Sequence, residues 1–220
     1  MNVWPSRVRT KLCGLTRPQD IDAAVRAGAD AIGLVFYPPS KRAVSVEQAV
    51  VLRRHIPAFV SAVALFVNPK SSEVQKVLDH VRPDLLQFHG DESPEFCASF
   101  NRPYMKAFRV GGQGLVTPET VLAQARLYHE ASAWLFDAYS VGYGGSGLTF
   151  DPHLLSAVLV ATDTPPIVIA GGLTPETVTG AVRDIRPFAV DVSSGIEDSP
   201  GVKNYARMLA FVDQVSSVKS

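Results

Sequence analysis

Apolar residues along this chain gather in eight short runs. Each is followed by a polar turn and then by a stretch in which apolar positions return every three or four residues. The runs are Thr10 to Gly14, Ala31 to Phe36, Ser61 to Val67, Leu85 to His89, Tyr104 to Arg109, Ala133 to Asp137, Pro166 to Ala170 and Phe188 to Val192. Most are apolar at consecutive positions. A strand reads that way when both of its faces exclude water, as in a parallel sheet. Helical spacing is predicted over Pro18 to Ala27, Val46 to His55, Ser72 to Val81, Pro94 to Phe100, Pro118 to Ala131, Pro152 to Ala161, Pro175 to Ile185 and Val202 to Val215. Strand starts recur roughly every 20–30 residues, the length of one strand-plus-helix unit. Eight such units with no linker or low-complexity stretch predict an α/β fold, a single (β/α)8 TIM barrel of parallel strands over residues 10–220. Residues 1–9 are expected to form an N-terminal extension.

Local signals agree with the helices. Thr16-Arg17-Pro18, Thr117-Pro118-Glu119 and Thr174-Pro175-Glu176 each place a Thr or its neighbour near an N-cap and Pro in the first turn. In two of them an acid follows, where the helix dipole favours it.

Composition narrows the function. Twenty-one Lys and Arg balance 21 Asp and Glu, so no basic surplus points to nucleic acid. The apolar runs fall far short of the ~20 residues that span a bilayer, so no membrane partner is expected. Cys13 and Cys97 cannot make a disulfide framework and the opening residues lack a secretory core, which fits a reducing cytoplasm. The histidines at 55, 80, 89, 129 and 153 show no metal-binding spacing, so neither a metal nor another cofactor is expected. Monomer and homodimer are both compatible with the sequence.

A barrel gathers chemistry at the carboxyl ends of its strands. Lys11, Cys13 and Thr16 fall at the first end, Ser40, Lys41 and Arg42 after the second, Gln87 and His89 at the fourth, Asp137 at the sixth, and Asp191 with Ser193-Ser194 at the eighth. Cys13 is a candidate base or nucleophile once ionised, with Lys11 as a nearby cation that favours the thiolate. Asp137 closes the apolar run Ala133-Trp134-Leu135-Phe136, a setting that suits a carboxyl to proton donation. Arg42, if turned inward, has a planar fork that suits a carboxylate. Gly171-Gly172 and Ser193-Ser194-Gly195 offer free amides after the seventh and eighth strands, the quarter of such barrels that holds phosphate, so a phosphorylated small molecule is the expected substrate. Gly142-Tyr143-Gly144-Gly145-Ser146-Gly147 matches a dinucleotide fingerprint in form only, since it follows the sixth strand and no helix opens on it. A mobile lid suits it better.

In order along the chain, Lys11-Leu12-Cys13-Gly14-Leu15-Thr16, Gly28 to Phe36, Ser40-Lys41-Arg42-Ala43-Val44, Leu65-Phe66-Val67-Asn68, Gln87-Phe88-His89-Gly90, Phe136-Asp137, Gly144 to Asp151, Ala170-Gly171-Gly172-Leu173 and Asp191 to Glu197 resemble the phosphoribosylanthranilate isomerase family. The resemblance runs from residue 10 to about residue 210. It implies a cofactor-free Amadori rearrangement of N-(5-phosphoribosyl)anthranilate in tryptophan biosynthesis. By that likeness Cys13 is the general base at ribose C2 and Asp137 the general acid at the ring oxygen. Arg42 holds the anthranilate carboxylate, Asp191 a ribose hydroxyl, and Gly172, Ser193 and Ser194 the phosphate. Leu148, Pro152 and Phe88 depart from the residues usual there, but none is a proposed catalytic group. A related histidine-pathway barrel would carry Asp where Cys13 stands. Other phosphosugar isomerases or epimerases, and a silent phosphate-binding barrel, are the rival readings.

Overall fold

The eight apolar runs become eight parallel strands hydrogen-bonded in chain order, and the eighth pairs with the first to close the ring. The computed structural model describes residues 7–112, 114–139 and 150–218. Strands β1 (Arg9–Cys13), β2 (Ala31–Val35), β3 (Ser61–Phe66), β4 (Leu85–Phe88), β5 (Tyr104–Val110), β6 (Ala133–Ala138), β7 (Ile167–Ile169) and β8 (Ala189–Val192) make the barrel. Helices α1 (Pro18–Ala27), α2 (Val46–Arg53), α3 (Ser71–His80), α4 (Pro94–Ala98), α5 (Pro118–Arg126), α6 (Ser156–Val160) and α7 (Val178–Ile185) follow the first seven strands. The glycine-rich segment Gly142 to Gly147, read from sequence as a lid, lies outside the described residues. Arg9, expected in the extension, is the first residue of β1, and its N–H donates to the Phe188 carbonyl at 3.0 Å.

Inside each strand the period of two reappears once the two faces are distinguished. Leu12, Leu34, Phe66, Phe88, Phe108, Phe136 and Ile169 pack outward with the helices in the largest core cluster. Their neighbours turn inward. Met105, Ala107, Leu135, Val168 and Ala189 plug one part of the ring, while Cys13, Val35, Leu65 and Val67 form a separate cluster near the strand ends. Both sets are apolar along most of each strand, which is why the sequence shows runs instead of alternation.

Rings reinforce the outer layer. Phe88 stacks on Phe66 at 6.1 Å and on Phe100 at 5.9 Å, and meets Phe96 and Tyr104 edge-on.

Three helix starts differ from the sequence reading by more than one residue, each for a local reason. Thr117 caps α5 as expected, accepting from Thr120 N. Thr174 instead forms a separate turn with Thr177, so α7 starts at Val178 and not at Pro175. The segment after β6 opens as a 3-10 turn over Pro152–Leu155, with Asp151 accepting from His153 N, before α6 begins. The largest difference follows β8. Residues Val202 and Lys203, read as the start of a helix, form β10 (Val202–Lys203), antiparallel to β9 (Glu197–Ser199). Pro200-Gly201 makes the intervening turn, with Gly201 at φ +86. The last helix, α8 (Tyr205–Ser217), starts only after Asn204, whose side chain accepts from Arg207 N.

Phe88 is fully buried, so Phe88→Ala should lower unfolding free energy by about 3–5 kcal/mol and Phe88→Leu by clearly less. Urea midpoints at constant slope measure both; equal loss in the two variants would show that apolar volume cannot stand in for the ring contacts of Phe88.

Candidate active site

The inward set turns polar at the carboxyl ends of the strands. Register places Lys11 opposite Asp191, and the Lys11 ammonium donates to Asp191 Oδ2 at 2.8 Å. Both side chains are buried. Burial works against the Lys11 charge, but Asp191 and Cys13 outweigh it and hold the ammonium above its ordinary pKa. The other Asp191 oxygen, Oδ1, is buried with no partner among the described residues, the kind of group that normally finds a donor.

Cys13 follows one pleat further on. Burial pushes its thiol up from the ordinary value, and the Lys11 ammonium opposes this without cancelling it. The sequence marked Lys11 as a nearby cation and left the ionisation of Cys13 open. In the structure burial outweighs that cation, because the thiol is only 5 % exposed and Lys11 is shared with Asp191.

Asp137 ends β6 as expected. Its Oδ1 accepts from Ala138 N at 2.8 Å, and its Oδ2 lies 3.2 Å from His89 Nε2. Gln87 Nε2 lies 3.0 Å from His89 Nδ1. An amide N–H donating to Nδ1 leaves the imidazole proton on Nε2, where it points at Asp137. Gln87, His89 and Asp137 thus form a buried line of hydrogen bonds across β4 and β6.

The two turns after β7 and β8 meet above this line. Gly171 has φ +86, and a Cβ there would come within 2.7 Å of Ala138 N and Asp137 Oδ1. Only glycine lets this turn sit against the carboxylate. Gly195 is needed for a different approach: a Cβ would stand 2.0 Å from the Leu173 carbonyl, so glycine lets the two turns touch.

One cleft unites these groups. Cys13, Arg42, His89, Asp137, Asp191, Gly171, Gly172, Ser193 and Ser194 all line it. Gln87 and Gly195 stand one layer back, Gln87 behind His89 and Gly195 against Leu173. Arg42 turns inward, onto a partner that the sequence reading did not pick out. Its Nε and Nη2 donate to the two oxygens of Glu197, at 3.1 and 2.6 Å. Glu197 also accepts from Lys203 Nζ at 2.7 Å. Burial disfavours the Glu197 carboxylate, but Arg42 and Lys203 together hold it below the usual range. The signal that was available is the Pro200-Gly201 turn between short polar and apolar pairs, which marks a hairpin.

The closed barrel and the polar cleft at its carboxyl mouth define a (β/α)8-barrel enzyme. A family model described as N-(5'phosphoribosyl)anthranilate (PRA) isomerase matches residues 10–214. The chain belongs to that family, isomerases of tryptophan biosynthesis that interconvert an aldose and a ketose. It is 57% identical to the N-(5'-phosphoribosyl)anthranilate isomerase of Bordetella parapertussis, covering 96% of this chain and 97% of that one. The Nitrosococcus oceani protein of the same name is 49% identical, covering 96% and 99%. Among solved structures, phosphoribosyl anthranilate isomerase from Thermotoga maritima aligns with TM-score 0.85 and 37% identity over 96% of this chain and all of that one. Another, crystallised with reduced 1-(o-carboxyphenylamino)-1-deoxyribulose 5-phosphate, aligns at 0.81 and 33% identity, covering 96% of this chain and 100% of that one. Among the described residues no helix is long and apolar enough to cross a membrane.

Alkylation by iodoacetamide in a Cys97→Ser background reads the Cys13 thiol directly, since Cys97, whose own thiol is pushed up to about 12, is removed. Burial favours the neutral thiol, so the rate should rise with pH through a midpoint above the ~8.5 of free cysteine. A midpoint at or below that value would mean that Lys11, not burial, governs the thiol.

Proposed function

We propose that this isomerase converts N-(5-phosphoribosyl)anthranilate to 1-(2-carboxyphenylamino)-1-deoxyribulose 5-phosphate with Cys13 as general base and Asp137 as general acid. The observation that carries the reading is that thiol and carboxyl, from β1 and β6, open on one cleft together with the glycine- and serine-rich turns. Asp137 donates a proton to the furanose ring oxygen, the C1–O bond breaks, and nitrogen and C1 form an iminium. Cys13, as thiolate, takes the C2 proton, and the electron pair moves to neutralise the nitrogen as an enolamine. Ketonisation returns a proton to C1 and releases the one on the C2 hydroxyl, so the reaction is proton-neutral overall. With Asp137 and Cys13 restored to their starting forms, no external oxidant or reductant enters.

Binding groups follow the same logic. The dianionic phosphate sits on the amides of Gly172, Ser193 and Ser194, where successive free N–H groups form an anion-binding concavity. Asp191 takes a ribose hydroxyl, which satisfies its unpartnered Oδ1. Arg42 takes the anthranilate carboxylate. Gln87 and His89 act on Asp137, His89 through its Nε2–H, and Gly171 and Gly195 shape the phosphate turns. A cytoplasmic setting accords with a biosynthetic enzyme that has two free cysteines.

Loss of substrate fluorescence, measured with a chelator present, tests the reaction. Cys13→Ser and Asp137→Asn should each lower kcat by ~10² or more while retaining product binding. Near-normal turnover in either variant rejects the role assigned to that residue.

A further inference from the structure

The hairpin after β8 holds a charge arrangement that a structural ion pair does not need. Arg42 and Glu197, 155 residues apart, meet through the side edge of the guanidinium, Nε and Nη2. Glu197 Oε1 also accepts from Gly201 N at 3.2 Å. The remaining Lys203 protons are directed to Ser193, with Nζ 2.9 Å from its carbonyl and 3.4 Å from its hydroxyl. Two cations therefore share one carboxylate. All three side chains are largely shut from solvent, at 14%, 3% and 0% exposure for Arg42, Glu197 and Lys203. The cluster carries one net positive charge at the cleft wall, which an entering anion would neutralise. Among the described residues the Arg42 Nη1 has no partner, so the end edge of the fork, Nη1 and Nη2, is left for a second carboxylate.

We infer that Glu197 and Lys203 are positioning residues that set the enzyme's preference for a carboxylated aromatic amine on the phosphosugar. Glu197 grips Arg42 by its side edge and aims the end edge into the cleft. Lys203 locks Glu197 and ties this carboxylate clamp to the phosphate turn at Ser193, so both anionic ends of the substrate are referenced to one hairpin. The inference rests on the assignment of Arg42 to the substrate carboxylate.

Kinetics on phosphoribosylanthranilate and on its counterpart without the ring carboxylate, N-(5-phosphoribosyl)aniline, test it. Glu197→Gln should raise KM for the carboxylated substrate about tenfold or more, with kcat within about threefold. KM for the aniline substrate should stay unchanged, so the preference collapses. Arg42→Ala should do the same, and adding Glu197→Gln to it should change nothing further, because the two act through one group. Glu197→Gln/Lys203→Met removes both buried hairpin charges and serves if the single variant does not fold; it should lose the same preference. An equal rise in KM for both substrates, or full additivity with Arg42→Ala, overturns the role given to Glu197 and Lys203. Preference that survives Arg42→Ala overturns the reading of Arg42 itself. Preference lost in Arg42→Ala but kept in both Glu197 variants overturns the hairpin's part alone.

Discussion

Ionised side chains removed from water must neutralise one another, because an unpaired buried charge costs far more than a pair returns. The upper half of this barrel is organised by that requirement. Lys11 answers Asp191 across the β1–β8 seam that closes the ring. Arg42 and Lys203 answer Glu197 between the loop after β2 and the hairpin after β8. Asp137 is held without an opposite charge, by the Ala138 amide and by His89 Nε2 at 3.2 Å. Each arrangement joins segments distant in sequence, so charge compensation and closure of the site are one constraint. Cys13 sits among these groups without a full counter-charge of its own, and burial pushes its thiol up accordingly.

Stability is drawn from elsewhere in the molecule. The aromatic layer between strands and helices, with Phe88 among Phe66, Phe96, Phe100 and Tyr104, carries no charge. The lower plug of Met105, Ala107, Leu135 and Val168 is likewise apolar. Such layers contribute by transfer of apolar surface from water and by dense packing. They allow the cleft to hold charged groups that would not stabilise a fold by themselves.

Most of this division was legible in the sequence. Continuous apolar runs gave the strands, since double burial leaves no polar face to interrupt them, and Pro and Thr gave the start of α5. That Cys13, His89, Asp137 and Asp191 line one cleft could be foreseen because a barrel converts the end of any strand into a position in one site. The partner of Arg42 could not. Nothing local distinguishes Glu197 from a solvated acid until the Pro200-Gly201 turn folds β10 back on β9 and brings Lys203 beside it. The ionisation of Cys13 stayed open in the sequence for a related reason: proximity of Lys11 was readable, its ion pair with Asp191 was not. The false cap at Thr174 shows the converse limit, for the same Thr-Pro-Glu-Thr-Val string that starts α5 at Thr117 closes a separate turn at Thr174.

Register is what makes these placements reliable. Along β1 the outward Leu12 lies between Lys11 and Cys13, and along β6 the outward Phe136 lies beside Asp137. A slip of one residue in either strand would send the polar groups into the outer apolar layer and a large apolar side chain into the cleft. Leu12 and Phe136 are both fully buried, so that exchange would lose apolar burial and strand charges in one step. The apolar side chains facing the helices therefore hold the chemistry in position without touching it. The same two-residue period that anchors each strand to its helix decides which atoms face the substrate.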